Sequence, residues 1–340
     1  MLKVAVCGVG PMGRMHSQLL KQQDTVELVA IADVQEELRN RLSAELEVEA
    51  YPSGEDLIDA GVADVMWVCV PTYLHAPLSI RALQSGHHVF CEKPMALDAE
   101  ECSAMMAAAQ EAGRMLTVGQ VLRFWPEYVF LKNAIESETY GKLQTLSMSR
   151  LGGVTIGWQE WFLDEKLGGT QIFDRHIHDS DMTLWLLGKP QGVVTYGTLG
   201  ERGGYVHCFT RYCYPEVTVS AEGCADQPDS YPFTMGYHAT FDNGAIEYHS
   251  RSAPTLTVYG LDGKREHPEL PNPLGSLDVG LNITSASGYY LEGVYFLNCI
   301  EQGTQPEIVS PESARDTVRL VRAEMESAKN DGRMVPFPAT

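Results

Sequence analysis

Over the first 120 positions, short apolar and β-branched runs alternate with longer stretches in which apolar residues recur at helical spacing. The runs predict strands at residues 3–7, 27–32, 64–70, 88–91 and 115–119. The longer stretches predict helices at 12–21, 34–46, 77–85 and 99–112. Strand–helix alternation of this kind implies a parallel sheet with helices on both faces. The run at 64–70 is apolar without alternation, as expected of a central strand covered on both sides. Beyond Gln120 the texture changes. A helix is predicted at 126–137, a strand at 143–150, and a glycine-rich loop with a helix at 168–187. From 193 to 259 the pattern is of strands rich in aromatic and β-branched residues, broken by turns at Asp242-Asn243-Gly244 and Asp262-Gly263. Two helices follow, at 288–300 and 311–329. The fold class is therefore α/β, a doubly wound parallel sheet at 1–120, joined to an α+β domain at 121–340 with a largely antiparallel open sheet.

Composition narrows the function classes. The chain has 340 residues, and its 25 Lys and Arg against 45 Asp and Glu give a net charge of −20. Such a surface repels nucleic acid and anionic membranes, so neither is expected as a partner. No apolar run approaches the roughly 20 residues that span a bilayer. The opening Met-Leu-Lys-Val-Ala-Val-Cys-Gly runs straight into a strand pattern and does not resemble a signal peptide. Eight cysteines are scattered without a Cys-x-x-Cys pair. They are expected to be buried free thiols in a reducing compartment, which points to the cytoplasm and away from a disulfide framework or zinc site.

Gly8-Val9-Gly10-Pro11-Met12-Gly13 lies between a predicted strand and a predicted helix, the context a dinucleotide fingerprint requires. The first glycine allows the tight turn, the second lets the main chain approach a pyrophosphate, and the third allows close helix–strand packing. Main-chain N–H groups at the helix start, with the helix dipole behind them, then hold the phosphates. Pro11 suits a first helical position, and Met12 completes the turn. Asp33, twenty residues after Gly13, ends the second strand and is placed to accept hydrogen bonds from adenosine ribose hydroxyls. It would repel a 2′-phosphate, and no arginine follows it immediately, so NAD is favoured over NADP as cofactor.

Three further segments are Val70-Pro71-Thr72-Tyr73-Leu74-His75, Cys91-Glu92-Lys93-Pro94, and Gly168-Gly169-Thr170-Gln171-Ile172-Phe173-Asp174-Arg175-His176-Ile177-His178-Asp179. In order and spacing they resemble the glucose–fructose oxidoreductase / inositol dehydrogenase family over essentially the whole chain, including Arg123-Phe124-x-Pro126. The resemblance implies that Val70, Pro71, Thr72 and His75 line the nicotinamide side of the cofactor, with Glu92, Lys93 and Gln120 nearby. It implies a cis Lys93–Pro94 peptide that fixes the lysine's direction, and a homodimer or homotetramer formed through the open face of the second sheet. Gln120 departs from the Asn, His or Phe that related chains often carry.

The resemblance also marks Lys93, Asp174 and His178 as catalytic, and the chemistry offers an independent reason for the last two. Four residues apart at a helix start, they share one face. Oxidising an alcohol requires removal of the hydroxyl proton, a task suited to histidine. Lys93 would stabilise the developing charge on the same oxygen, while Asp174 orients the substrate or shares the proton. Arg123, Trp161 and Arg175 join them as substrate-binding candidates for a sugar, polyol or inositol-like molecule, with Arg150 as a further possible anion binder. Tyr128, Trp158, Trp161 and Tyr237 could also stack on a sugar ring, although aromatics at such positions are more often core. His176, His178, Asp179 and Asp181 superficially resemble a metal cluster, but residues two apart on a helix point to different faces. No metal is expected; His176 is expected in the substrate pocket and the two aspartates in structural hydrogen bonds. One alternative keeps the same residues, an NAD-retaining glycoside hydrolase that oxidises a sugar carbon transiently; another is a non-catalytic NAD-binding sensor, of which the loss of Lys93 or His178 would be the signature, and both are present.

Overall fold

The computed structural model describes residues 1–201, 204–275 and 285–337. Residues 202–203 of the strand-rich stretch lie outside the described residues, as do the 276–284 and 338–340 portions of the predicted second domain. The chain divides into two compact units.

In the first unit the apolar N-terminal run forms β1 (Leu2–Cys7), followed by α1 (Pro11–Lys21), β2 (Val26–Ala32), α2 (Glu36–Leu46), β3 (Glu49–Tyr51) and α3 (Gly54–Ala60). Then come β4 (Val65–Val68), α4 (His75–Gln84), β5 (His88–Cys91), α5 (Ala99–Ala112) and β6 (Leu116–Val118). The six strands are all parallel, in the order β3-β2-β1-β4-β5-β6. The order reverses between β1 and β4, so ligands of such a sheet bind outside the carboxyl ends of these strands. All four residues of β4 are buried, consistent with its unalternating apolar sequence. Helix starts are capped where the sequence supplies an acceptor: Asp98 accepts from the Glu101 N–H at 2.8 Å and Ser53 from the Asp56 N–H at 3.1 Å. β3 and α3 were not predicted; both are short, and β3 is largely exposed, so neither carries a strong periodic signal.

The first compact unit takes in Met1–Val121, and neither unit is one contiguous stretch of chain. Residues 285–316 return to the first unit. They include α9 (Ser287–Gln302), whose Phe296 and Leu297 are buried in the same core as Val4, Val6, Trp67 and Phe90. Trp67 and Phe90 stack with ring centroids 4.2 Å apart, and Phe296 meets Trp67 edge-on at 6.1 Å. The physical reason is covering: an all-parallel sheet needs apolar cover on both faces, and α9 supplies part of it from far along the chain.

The second unit contains α6 (Pro126–Glu136), β7 (Leu143–Leu151), α7 (Glu165–Gly168), α8 (Ile177–Leu187), β8 (Gly192–Leu199), β9 (Tyr205–Cys213) and β10 (Thr218–Cys224). It continues with β11 (Thr234–Phe241), β12 (Gly244–His249), β13 (Leu256–Gly260), β14 (Arg265–Glu266), the latter part of α10 (Pro311–Lys329) and β15 (Val335–Pro336). Nine strands form one sheet in the order β14-β13-β12-β11-β7-β10-β9-β8-β15. Every pairing is antiparallel except β7 with β10. Asp242-Asn243 makes the two-residue connection of the β11–β12 hairpin, as its sequence predicts. One stretch departs from expectation: the helix predicted across 168–187 is interrupted, because residues 172–176 form a π-helical turn before α8 begins.

Candidate active site

The first unit builds a cradle at the carboxyl ends of β1 and β4. Gly8 has φ +83°, and a Cβ there would lie 2.7 Å from the Cys69 carbonyl oxygen; a Cβ on Gly13 would lie 1.8 Å from the Gly8 oxygen. Neither position accepts a side chain. At Gly10 a Cβ would meet nothing within 4 Å, so this turn faces open space and the main chain is accessible there. Pro11 is exposed and Met12 half-buried at the start of α1. Asp33 closes the cradle from the end of β2. Its Oδ2 accepts the Val9 N–H and its Oδ1 the Gln35 N–H, each at 2.8 Å, leaving lone pairs for ribose hydroxyls. Arg39, which the sequence reading passed over, donates to the Asp33 carbonyl at 2.7 Å.

Around the ends of β4 and β5 the remaining first-unit candidates gather. Val70 and Pro71 are half-buried, and Thr72 is buried at the start of a 3-10 turn, Thr72–Leu74. His75 is buried, with Nδ1 2.7 Å from the Pro94 oxygen and Nε2 2.9 Å from the Val70 oxygen. Both ring nitrogens thus face main-chain carbonyls, so His75 ties the loop after β4 to Pro94 and offers no polar ring atom to a cofactor. Burial pushes its pKa down, against the two carbonyl contacts. Lys93 is half-buried and its peptide to Pro94 is cis. Gln120 is buried, and neither its Oε1 nor its Nε2 has a hydrogen-bond partner. Burying a side-chain amide this way is costly unless a ligand completes its bonding. The glycine turn, Asp33 and Gln120 together fit a nicotinamide dinucleotide.

In the second unit, Asp174 lies in the π-helical turn and His178 in the first turn of α8. Single π turns inside helices occur frequently at functional sites. Asp174, Arg175 and His178 are partly exposed, whereas Ile172, Phe173, His176, Ile177, Asp179 and Ser180 around them are buried. The chain enters this turn through Gly169 and Thr170, with φ of +71° and +65°. A β-branched residue at such a φ is a real outlier, of order 1–3 kcal/mol, held by its surroundings.

Several sequence candidates have structural partners instead. Arg123 is buried and binds Asp181 through Nε at 2.9 Å and Nη2 at 2.7 Å, so it is corrected from substrate ligand to internal partner. Arg150 does the same for Asp179 at 3.2 and 3.1 Å; burial raises the Asp179 carboxyl and Arg150 opposes it. The two aspartates thus take the structural role expected of them. Arg175 donates to the Cys224 carbonyl at 3.3 Å, to the Gly153 carbonyl and to Thr155 Oγ1 at 3.1 Å, so its guanidinium braces the 152–155 loop rather than standing open to substrate. His176 is not a lining residue: it is buried with Nε2 2.9 Å from Thr210 Oγ1, and burial lowers its pKa to about 3. Tyr128 and Tyr237 are core. Trp161 is half-buried, stacked on Phe162 at 3.7 Å, and Trp158 is exposed.

Sequence reasoning missed two buried groups of the first unit. His16 Nε2–H donates to Glu92 Oε1 at 2.6 Å, and Glu292 of α9 lies close to both. A polar residue on the buried face of each helix was the available signal.

A Rossmann-type dinucleotide domain joined to a mostly antiparallel α+β unit defines a class of two-part nucleotide-dependent proteins. Family models place the chain within it: residues 2–120 match the "Oxidoreductase family, NAD-binding Rossmann fold" and residues 128–264 the "GFO/IDH/MocA C-terminal domain". The protein belongs to the GFO/IDH/MocA oxidoreductase family, and its first unit is an NAD-binding Rossmann domain. It is 32% identical over 190 residues to myo-inositol 2-dehydrogenase of Thermotoga maritima, covering 55% of each chain. It is 30% identical over 205 residues to 2,7-anhydro-N-acetylneuraminate hydratase of Mediterraneibacter gnavus, covering 58% of this chain and 53% of that one. The matches thus span little more than half the length of these curated relatives. A solved levoglucosan dehydrogenase, in complex with NADH and levoglucosan, superposes with TM-score 0.86 at 20% identity, over 99% of this chain and 100% of that one, a likeness of fold.

Proposed function

We propose that this protein is an NAD-dependent oxidoreductase acting on a secondary alcohol or ketone carbon of a sugar, polyol or inositol-like substrate. The observation that carries this reading is the cradle formed by Gly8, Gly10, Gly13 and Asp33, together with the buried, unpartnered amide of Gln120. The names of the relatives, an inositol dehydrogenase among them, support the substrate class. NAD, when bound, accepts a hydride from the carbinol carbon. Main-chain N–H groups from Gly10 to Gly13 would hold its pyrophosphate, Asp33 its ribose and Gln120 its carboxamide. His178 takes the hydroxyl proton as general base. Lys93 hydrogen-bonds the same oxygen and offsets its developing charge. Asp174 orients the substrate, with Trp161 a candidate for packing against a sugar ring.

Incubating the protein with NAD and a panel of polyols, aldoses and glycosides, while following NADH absorbance, tests this. NADH formed with one substrate class, and lost in Lys93→Ala and His178→Ala, is the expected result. Sugar release or hydration without free NADH would favour the NAD-retaining alternative, to which the hydratase relative lends its name. Bound NAD with no turnover would favour the sensor.

The assembly we propose is a homodimer or homotetramer built on the open sheet face, where Tyr196, Leu199 and Phe209 of β8 and β9 are more than half exposed. Light scattering of the purified protein tests it, a monomer being the contrary result. No helix among the described residues is long and apolar enough to cross a membrane. A cytoplasmic location is proposed from the eight free cysteines.

A further inference from the structure

His16 on α1, Glu92 just after β5 and Glu292 on α9 offer one ligand atom each, all within 4.8 Å of one another, and all three are buried. The surroundings are apolar: His16 meets the rings of Trp67, Phe90 and Tyr289 at 6.1, 5.4 and 5.9 Å. Glu92 is well supplied with donors. Its Oε1 accepts from His16 Nε2–H at 2.6 Å and its Oε2 from the main-chain N–H of Lys93 at 3.0 Å. Glu292 is the opposite case, since neither of its oxygens has a hydrogen-bond partner. An ionised carboxylate in that position would have no donor and a second carboxylate beside it, whereas a neutral carboxyl there costs far less.

We propose that these three residues are a buried positioning unit for Lys93. Glu92, ionised and clamped by His16, fixes the main chain of Lys93, while Glu292 stands beside it in the neutral, protonated form. The inference rests on the reading of Lys93 as a catalytic group. The electrostatics agree in direction. Burial raises Glu92, but His16 and Lys93 outweigh it and hold its carboxyl below the usual range; burial and then Glu92 push Glu292 well above it. Other titratable groups that sense Glu92 include Cys69 after β4 and Cys91 of β5, both raised by burial first and by Glu92, and His75, which burial lowers against Glu92. Glu92 thereby ties α1 to the backbone of the residue that would face the reacting oxygen. Misplacing such a group by an ångström costs about a hundredfold in rate.

The test compares kcat and NAD affinity in Glu92→Gln, His16→Leu, His16→Gln and Lys93→Ala. It adds an infrared difference spectrum of wild type against Glu292→Gln at neutral pH, and the metal content of the purified wild type. Glu92→Gln and His16→Leu should lower kcat about ten- to a hundredfold, with NAD affinity little changed. His16→Gln, which keeps an N–H donor, should recover part of the loss. The wild type should show the carbonyl band of a protonated carboxyl that Glu292→Gln lacks. Unchanged kcat in Glu92→Gln overturns the positioning role. No such band, or a stoichiometric divalent metal, overturns the neutral Glu292. Full turnover in Lys93→Ala would instead remove the catalytic reading of Lys93, and the infrared comparison would still decide the protonation. If Glu92→Gln fails to fold, His16→Gln against His16→Leu and the infrared result still judge the proposal.

Discussion

The two units place their candidate groups on different kinds of support. In the first, the cofactor residues sit on turns at the carboxyl ends of parallel strands, where Gly8 and Gly13 leave no room for any side chain. In the second, Asp174 and His178 project from a π-interrupted helix whose next two acids, Asp179 and Asp181, are locked to Arg150 and Arg123. The cofactor site is therefore made largely of main chain, and its specificity is written in which residues are absent. The proposed substrate site would be made of side chains, on a helix of unusual geometry that buried ion pairs hold. Activity and stability should separate differently in the two units.

The largest effects should come from the ion pairs. Asp181→Ala leaves Arg123 buried without its bidentate partner and should cost about 3–5 kcal/mol in denaturant unfolding. Asp174→Ala, in the same helical stretch but partly exposed, should cost under about 1 kcal/mol. Equal losses would erase the distinction between supporting and reacting acids. Of similar size, but in rate only, His178→Ala should lower kcat by about 10²–10⁴, with the unfolding midpoint unmoved.

Gly10→Ala sharpens the contrast from the first unit. A Cβ there meets nothing, so stability should hold within about 0.5 kcal/mol while NAD binding weakens by about tenfold or more. Gly13→Ala should damage the fold itself. Binding titration alongside unfolding separates the two.

A smaller effect concerns pH. Burial raises Glu324 of α10 to about 8, with Ser180 and Tyr212 opposing. The folded protein therefore keeps a proton that the unfolded chain releases above its ordinary carboxyl value of 4.5. Its contribution is full below that value and is lost as pH rises through about 8. His176 runs the other way: the unfolded chain gains a proton below 6.5 that the folded state refuses until about 3, so stability falls as pH drops through that window. Between pH 6.5 and 8 the His176 window is closed, and the Glu324 proton should account for a fall of about 1–2 kcal/mol in unfolding stability, with the neutral Glu292 acting in the same direction. Glu324→Gln should flatten that slope. A slope unchanged in Glu324→Gln would mean that the carboxyl is already ionised when folded.

The contrast between the units also explains what could be read from the chain. The parallel sheet, the glycine turn and Asp33 were legible because each rests on local sequence: an apolar run, a spacing, a strand end. Helices 99–112 and 311–329 matched to the residue. The return of α9 to the first unit was not legible, because it depends on which sheet needs covering, and the apolar stripe of a helix does not name its partner. The π turn at Ile172–His176 escaped for a related reason, since its one-residue shift leaves the apolar pattern almost unaltered. Arg123 and Arg175 pass for substrate ligands in the sequence, because an arginine there does not reveal whether an aspartate or a carbonyl already faces it. Glu292 was lost among the apolar residues of its helix.

The most direct test of the central claim is a single-turnover mixture of the protein, NAD and a substrate deuterated at the candidate carbinol carbon, followed by mass spectrometry of the nicotinamide product. The account predicts deuterium on the nicotinamide ring of NADH in the wild type, and none within the same time in Lys93→Ala or His178→Ala. Product formed without deuterium reaching the nicotinamide would contradict hydride transfer and with it the assigned reaction.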